Sequence, residues 1–254
     1  MKRNGSTWTL IVLALLATVA LIAGCSSSKS SDTTPAGSEV ANQTFTGGMG
    51  GASADGSDSG ILSLSFGAAP ATAPGASALP MAPAATITIS GTIKIIATGE
   101  IINVTGTYDT ATKSFTVSGG GYTITGTVNN GVISGSYTGP GGSGTFSLIL
   151  GTRAQMTFYC GSYSVSGSDT PRGKWFFGMR QDRLAGAFSG NNVQAVGGGR
   201  LSGSVSGTSV DLSLIRGGLT IGSATGSLSG TDATGTWTVG NETGTWQGST
   251  GACP

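Results

Sequence analysis

The sequence contains no histidine, and charged residues make up only 9% of its 254 positions. Without histidine the chain lacks the usual general base near neutral pH, the Ser-His-Asp arrangement and the ligand of most zinc sites. The formal net charge is +1, so no basic surface is available to hold nucleic acid. These absences predict a protein that is not an enzyme, uses no metal or cofactor and does not bind nucleic acid.

Carboxylates are also few in the strand-rich region, where most of them fall at predicted turns or strand ends. They are Glu100, Asp109, Asp169, Asp182, Asp211, Asp232 and Glu242. A glycosidase holds two carboxylates about 5 to 9 Å apart across a cleft, and nothing in this spacing arranges such a pair. An enzyme therefore remains only a third hypothesis, which would require a polar cleft that gathers at least two of these side chains.

The first of three cysteines ends a signal-peptide pattern. The basic pair Lys2-Arg3 precedes an uncharged apolar run from Trp8 to Ala23, and the run ends in Ile22-Ala23-Gly24-Cys25. This ending resembles the bacterial lipobox, in which a small residue precedes an obligatory cysteine. The resemblance implies that residues 1–24 are removed as a signal peptide and that the thiol and new amino group of Cys25 are acylated, with palmitate as an expected acyl group.

Several acyl chains anchor a protein stably to a membrane. Ser26, rather than an aspartate, occupies the second position of the mature chain. This choice is similar to the pattern that permits sorting of Gram-negative lipoproteins to the outer membrane. We therefore expect a lipid-anchored protein of the bacterial cell envelope, held at the outer membrane.

Residues 25–85 have the composition of a disordered tether, because they are rich in Ser, Gly, Ala, Thr and Pro. Such a segment buries too little apolar surface to offset the entropy of ordering it. The exception is the apolar stretch ILSLSF at Ile61–Phe66, which could add one strand to a neighbouring sheet.

Two cysteines remain after Cys25, and in an oxidising envelope two thiols allow a single pairing. We predict a disulfide between Cys160 and Cys253, which are 93 positions apart. A redox or metal pair normally shows close spacing such as C-x-x-C, which these residues lack.

The rest of the chain alternates with period two and repeats a five-residue unit with a central glycine, ten times in all. The central glycines are Gly91, Gly106, Gly126, Gly135 and Gly144, followed by Gly186, Gly203, Gly226, Gly235 and Gly244. Corresponding members of the two series are 95 to 100 positions apart and keep their order. Duplication of a six-strand unit explains this regularity.

The repeated unit places apolar residues and glycine on one face of a strand, with Ser and Thr on the other. A glycine on the apolar face leaves a hole that a ring from a neighbouring strand can cover. Suitable rings are Tyr108, Tyr137, Phe146, Phe188, Trp237 and Trp246. The hydroxyl face suits water rather than hydrocarbon.

The fold class predicted from these patterns is an all-β, antiparallel, up-and-down meander. Two extra strands, Thr157–Val165 and Gly173–Arg180, join the second series to give an eight-stranded barrel over residues 155–254, whose first and last strands the disulfide would join. This arrangement resembles lipocalin and avidin barrels in topology only. Residues 86–150 give six clear strands, which could add Ile61–Phe66, remain an open sheet, or join the second half in one larger sheet.

The stretch KWFFGM places Trp175 and Phe177 on one strand face and Phe176 on the other. Core packing, with a contact to the first half, is favoured over a ligand-pocket floor. Trp175, Phe177, Trp237 and Trp246 are the candidate ligand or interface aromatics.

Two functions follow. The leading hypothesis is a non-enzymatic, lipid-anchored structural or interaction module, whose partner is a protein or a glycan. The alternative is a lipocalin-like carrier of a small hydrophobic ligand. The space left by the inner-face glycines distinguishes these hypotheses. If aromatic rings fill that space the barrel is solid, which favours the interaction module; if they do not, the barrel is hollow, which favours the carrier.

Overall fold

Sixteen antiparallel strands form two closed barrels in the part of the chain that the computed structural model describes, residues 39–51, 58–69, 85–129, 131–190 and 198–253. The predicted signal peptide, Cys25 and the first part of the predicted tether lie outside these residues. No helix in the described ranges is long and apolar enough to cross a membrane.

The first barrel contains eight strands, each hydrogen-bonded to its neighbours in the chain, with the first and last also paired. The strands are β1 (Thr44–Gly51), β2 (Gly60–Phe66), β3 (Thr86–Ile95), β4 (Ile101–Asp109), β5 (Ser114–Gly119), β6 (Tyr122–Asn129), β7 (Val132–Gly139) and β8 (Gly142–Leu150).

The second barrel has the same up-and-down order and closes through its first and last strands. A short 3-10 helix (Arg153–Gln155) precedes it. The strands are β9 (Thr157–Val165), β10 (Gly173–Arg180), β11 (Arg183–Gly190), β12 (Gly199–Ser206), β13 (Ser209–Arg216), β14 (Leu219–Ser229), β15 (Asp232–Val239) and β16 (Glu242–Ser249). A second 3-10 helix (Thr250–Ala252) follows the last strand. The all-β meander and the C-terminal eight-stranded barrel are confirmed.

The prediction of a six-stranded first unit over 86–150 is wrong, because β1 and β2 complete a closed barrel of eight. The tether prediction for 25–85 is therefore wrong for Thr44–Gly51, whereas β2 confirms the alternative that Ile61–Phe66 adds a strand to this unit. A six-stranded sheet of β3 to β8 would leave unpaired backbone groups at the edges of β3 and β8. Strand β2 pairs with β3, and β1 closes the barrel by pairing with β2 and β8. The residues of β1, TFTGGMGG, do not predict a strand, because glycine has low strand propensity.

Glycines on the inner face let each barrel bend, and rings cover them as expected. In the first barrel Gly126 pairs with Gly135, and a Cβ on either would lie within 2.9 Å of the Phe146 ring. In the second, Gly226 pairs with Gly235, and a Cβ would lie within 2.5 Å of Trp246. The same glycine pair and ring thus recur one hundred positions apart.

The two barrels belong to one compact unit and meet through glycines on the outer face of β1. A Cβ on Gly48 would lie 1.9 Å from the carbonyl carbon of Gly186, and one on Gly50 would lie 2.1 Å from the carbonyl oxygen of Gly199. The backbones of the two barrels therefore touch directly, which no side chain at these positions would permit.

Apolar side chains surround this backbone contact. The cluster contains Ile61, Ile96, Ile149, Met156, Phe158, Cys160, Phe176, Ala185 and Ala187. The guanidinium of Arg180 also donates a hydrogen bond to the carbonyl of Leu150, across the junction. The barrels are therefore held together by a buried interface rather than by a linker alone.

The predicted disulfide is confirmed. Cys160 on β9 is bonded to Cys253, which follows the last strand, with their Cα atoms 4.9 Å apart. Strands β9 and β16 pair at this point, where Cys160 lies opposite Ser249. The bond therefore fastens the two strands that close the second barrel.

Replacing Gly235 with alanine is expected to destabilise the second barrel strongly. The new Cβ would lie 2.1 Å from the carbonyl oxygen of Thr225 and 2.5 Å from the Trp246 ring. Overpacking of this kind costs about 1 to 3 kcal/mol and occasionally more. Guanidinium unfolding followed by tryptophan fluorescence measures the loss. Gly251→Ala is the control, because nothing lies within 4 Å of its added Cβ; equal stability of the two variants would contradict the prediction.

Candidate functional site

The four candidate aromatics, Trp175, Phe177, Trp237 and Trp246, all lie inside the second barrel and are at most 5% exposed. Trp175 stacks on Phe177 with ring centres 5.2 Å apart and meets Trp246 edge-on at 5.1 Å. The space left between these rings and their neighbours is a cavity of about 30 Å³. Ligand pockets usually measure about 300 to 1,000 Å³, so the rings largely fill this barrel.

The polar groups of the tryptophans are also satisfied internally. The indole N–H of Trp175 donates to the carbonyl of Ser162 at 3.0 Å, and that of Trp237 donates to Ser164 at 3.1 Å. The indole of Trp246 donates to the carbonyl of Thr236 at 3.2 Å. These donors therefore act in packing and are not available to a ligand.

A buried polar cluster closes one end of the first barrel. The Tyr137 hydroxyl donates to the backbone carbonyl of Asp58 at 3.0 Å, and Asp58 is fully buried. Burial, followed by the Asp58 charge, raises the pKa of Tyr137. Tyr122 packs against Tyr137 and its pKa is raised for the same two reasons, with a further contribution from Glu100. These tyrosines remain neutral hydrogen-bonding groups.

The outer face of the first barrel carries hydroxyl side chains in rows that cross the strands. The central row runs over β3 to β8 as Thr88, Thr107, Thr116, Thr125, Ser136 and Thr145, each opposite the next. A parallel row contains Ser90, Thr105, Ser118, Thr123, Thr138 and Ser143. Because neighbouring strands are about 4.8 Å apart, these hydroxyls form a regular polar surface.

Part of this surface forms one wall of a groove of about 600 Å³ between the barrels, which we call the hydroxyl groove. Its polar side chains are Ser114, Thr116, Thr125, Thr127, Ser134, Ser136 and Thr145 from the first barrel and Arg200 from the second. The lining also includes the Gly217–Gly218 turn of the second barrel and Phe115, Gly126, Gly135 and Phe146 of the first. In this groove seven hydroxyl side chains converge near one guanidinium.

Two groups in the hydroxyl groove lack partners. Arg200 is half-buried, burial lowers its pKa, and it forms no ion pair with any described residue. The Thr145 hydroxyl oxygen is buried and has no hydrogen-bond partner. Since native proteins pair nearly all buried polar groups, the unpaired Thr145 oxygen suits a polar ligand, and the half-buried guanidinium of Arg200 lies in the same groove.

A second polar position lies at one end of the second barrel. Tyr163 lines the cavity, is 5% exposed, and its hydroxyl has no hydrogen-bond partner. Burial raises its pKa to about 12, although the nearby charges of Arg216 and Arg172 act in the opposite direction. Burial lowers the pKa of Arg216, and one of its amino groups is likewise buried without a partner.

Neither place gathers several acidic or metal-ligating side chains. Among the described residues no group of three or more His, Cys, Asp or Glu side chains is arranged to hold a metal ion. The hydroxyl groove and the Tyr163 position contain no carboxylate among their lining residues. Their chemistry is hydrogen bonding around an arginine, which suits binding of an anionic or hydroxylated ligand.

No protein-family model, no curated protein and no solved structure matches this chain. Its function therefore has to be inferred from its own residues. The sequence patterns pointed to the aromatics and missed Arg200, Arg216, Tyr163 and Thr145. One signal in the sequence could have indicated the arginines: Arg200 and Arg216 lie in strands with few carboxylates nearby in sequence to pair with them.

Alkaline pH is expected to destabilise the protein partly through Tyr163. Its hydroxyl ionises near pH 10 in the unfolded chain and near pH 12 in the fold, so the fold favours the neutral form. The resulting stabilisation is complete below pH 10 and is lost as the pH rises to 12, at about 1.4 kcal/mol per pH unit. We expect the unfolding free energy to fall between pH 9 and pH 11 in both proteins. In guanidinium titrations the fall should be about 1 kcal/mol smaller for Tyr163→Phe than for the wild type. An equal loss in both proteins would show that Tyr163 does not contribute.

Proposed function

We propose that this chain is a non-enzymatic, lipid-anchored protein of the bacterial cell envelope whose double barrel is an interaction module for an acidic glycan. The basic start, apolar run and Cys25 support the anchor. The hydroxyl-rich outer surface supports work in water at a membrane rather than within it. Acylation would hold the module at the outer membrane, where polysaccharides are within reach.

The hydroxyl groove carries the glycan proposal. Sugar hydroxyls can both donate to and accept from Ser and Thr side chains, which the groove presents in rows along one wall. The guanidinium of Arg200 offers paired N–H donors in the geometry that a sugar carboxylate accepts. Because Arg200 is half-buried and without a carboxylate partner, an acidic sugar would restore a charge pair that the fold leaves open.

The junction between the barrels makes this groove rigid. Gly48 of β1 contacts the backbone at Gly186, and Gly50 contacts it at Gly199, directly beside Arg200 in the chain. A preformed groove loses little conformational entropy on binding. The two walls therefore keep their spacing whether or not a ligand is present.

The carrier alternative has less support. A cavity of about 30 Å³ in the second barrel is far smaller than a fatty acid or sterol needs. The rings cover the glycine holes, which is the arrangement expected of a solid barrel. An interaction at the outer surface fits these observations better than storage inside.

The anchor is tested by replacing Cys25. The wild-type chain should fractionate with outer membranes and carry acyl chains detectable by mass spectrometry of its N-terminal peptide. Cys25→Ser should lose the acyl mass and move to the soluble fraction or accumulate uncleaved. Cys253→Ser is a control that changes another cysteine and should keep the acyl mass. An unmodified Cys25 in the wild type would contradict the anchor.

The glycan proposal is tested with polygalacturonate, an acidic polymer, and dextran, a neutral one. The full chain in detergent micelles should bind polygalacturonate and not dextran in a surface-binding assay, more weakly at high salt. Arg200→Gln should weaken binding about tenfold, the usual scale for a charged hydrogen bond. Thr145→Val should weaken it less.

Arg183→Gln is the matched control, because Arg183 is an exposed arginine of the second barrel outside the groove. Its binding should equal that of the wild type. Equal losses for Arg183→Gln and Arg200→Gln would indicate nonspecific charge attraction and contradict a groove site. Absence of binding to polygalacturonate would also contradict the proposal.

A further inference from the structure

One end of the second barrel holds two buried polar groups that bind nothing within the protein. The hydroxyl of Tyr163 and one amino group of Arg216 are both buried and without hydrogen-bond partners. A buried donor left unpaired typically costs about 1 to 3 kcal/mol. Two such groups at one end of one barrel require an explanation.

Both side chains are held in place by the surrounding structure. The Tyr163 ring packs edge-on against Trp237 and Phe188, at 5.9 and 6.4 Å between ring centres. The Nε of Arg216 donates to the carbonyl of Gly198 at 3.2 Å, and the Nη2 amino group is buried without a partner. Arg172 is also close, because its backbone N–H donates to the carbonyl of Tyr163 at 2.7 Å.

Arginine side chains bring positive charge to this position. Arg216 and Arg172 both act electrostatically on Tyr163. Asp169, in the loop after β9, and Glu242, at the start of β16, form no ion pair with these arginines. An anion is therefore the partner that the position lacks.

The duplicated first barrel serves as an internal comparison. Tyr163 lies opposite Trp246, and its counterpart opposite Phe146 is the apolar Met49. Arg216 is the last residue of β13, in a hairpin that is longer than its counterpart in the first barrel. Strands β13 and β14 have 8 and 11 residues, whereas the corresponding β5 and β6 have 6 and 8. The phenol and the guanidinium are thus features of the second barrel alone, and barrel closure does not require them.

We infer that this end of the second barrel binds a small carboxylate, whose two oxygens accept hydrogen bonds from the Tyr163 hydroxyl and the free amino group of Arg216. A carboxylate accepts from a guanidinium and a hydroxyl at once. Tyr163 also lines the apolar cavity of about 30 Å³, roughly twice what one water molecule needs. That space accepts a short alkyl chain, so the ligand class is a short-chain carboxylate rather than a long fatty acid.

The lining of the hydroxyl groove includes neither Tyr163 nor Arg216, so this inference does not depend on the glycan proposal. The test uses the full chain in detergent micelles, with butyrate, acetate and inorganic phosphate as probes at constant ionic strength and chloride as the reference anion. Calorimetric titration gives affinity, and the unfolding midpoint gives the stabilisation that bound ligand adds. Butyrate is expected to bind and raise the midpoint, with acetate binding more weakly because it leaves the cavity empty.

Tyr163→Phe is the decisive variant, because it removes only an oxygen that has no partner. Without carboxylate this variant should be as stable as the wild type or more stable, so loss of folding does not confuse the result. Its butyrate affinity should fall about tenfold or more. Arg216→Gln should abolish detectable binding, whereas the exposed Arg183→Gln should bind as the wild type does.

Three results would overturn the inference. The first is an unfolding midpoint that no carboxylate changes, which would show that ordered water satisfies the two groups. The second is equal butyrate affinity of the wild type and Tyr163→Phe, which would place the ligand elsewhere. The third is phosphate binding as tight as butyrate binding, which would identify a general anion site without the alkyl preference.

Discussion

An eight-stranded barrel built from short strands must bend sharply, and at the bend the inner face has no room for a side chain. At Gly106 an added Cβ would lie 1.9 Å from the carbonyl oxygen of the neighbouring strand, and Gly203 shows the same distance in the second barrel. Glycine is therefore required by backbone proximity. The holes that these glycines leave are covered by rings, so curvature and core packing are two results of one residue choice.

Because glycine has no side chain, it also lets the two barrels contact each other through their backbones. On the outer face of β1, Gly48 and Gly50 bring the backbone of one barrel against that of the other, and apolar side chains surround the contact. Two solid barrels held this closely create a groove of fixed width between them. The hydroxyl groove is thus a product of the junction, because neither barrel alone has both the hydroxyl rows and Arg200.

Each of the two places proposed to bind ligands contains a buried polar atom without a hydrogen-bond partner. The Thr145 hydroxyl lies in the hydroxyl groove, and the Tyr163 hydroxyl and an amino group of Arg216 lie at the end of the second barrel. Each such atom opposes folding. The rest of the interior shows the opposite tendency, since even the indole N–H groups of Trp175 and Trp237 donate to backbone carbonyls. Unpaired groups in an otherwise well-paired fold are consistent with selection for binding.

Alternation, the glycine series and the two late cysteines were enough to predict an all-β duplicated meander, its C-terminal eight-stranded barrel and the Cys160–Cys253 bond. These features are local or periodic, so a strand's own residues encode them. Strand β1 escaped prediction because its four glycines conceal the alternation of Phe45 and Met49, and only closure against β8 defines it as a strand. The positions of Arg200, Arg216 and Tyr163 escaped for a related reason: whether a polar group finds a partner depends on residues brought together from different strands, which only the tertiary structure decides.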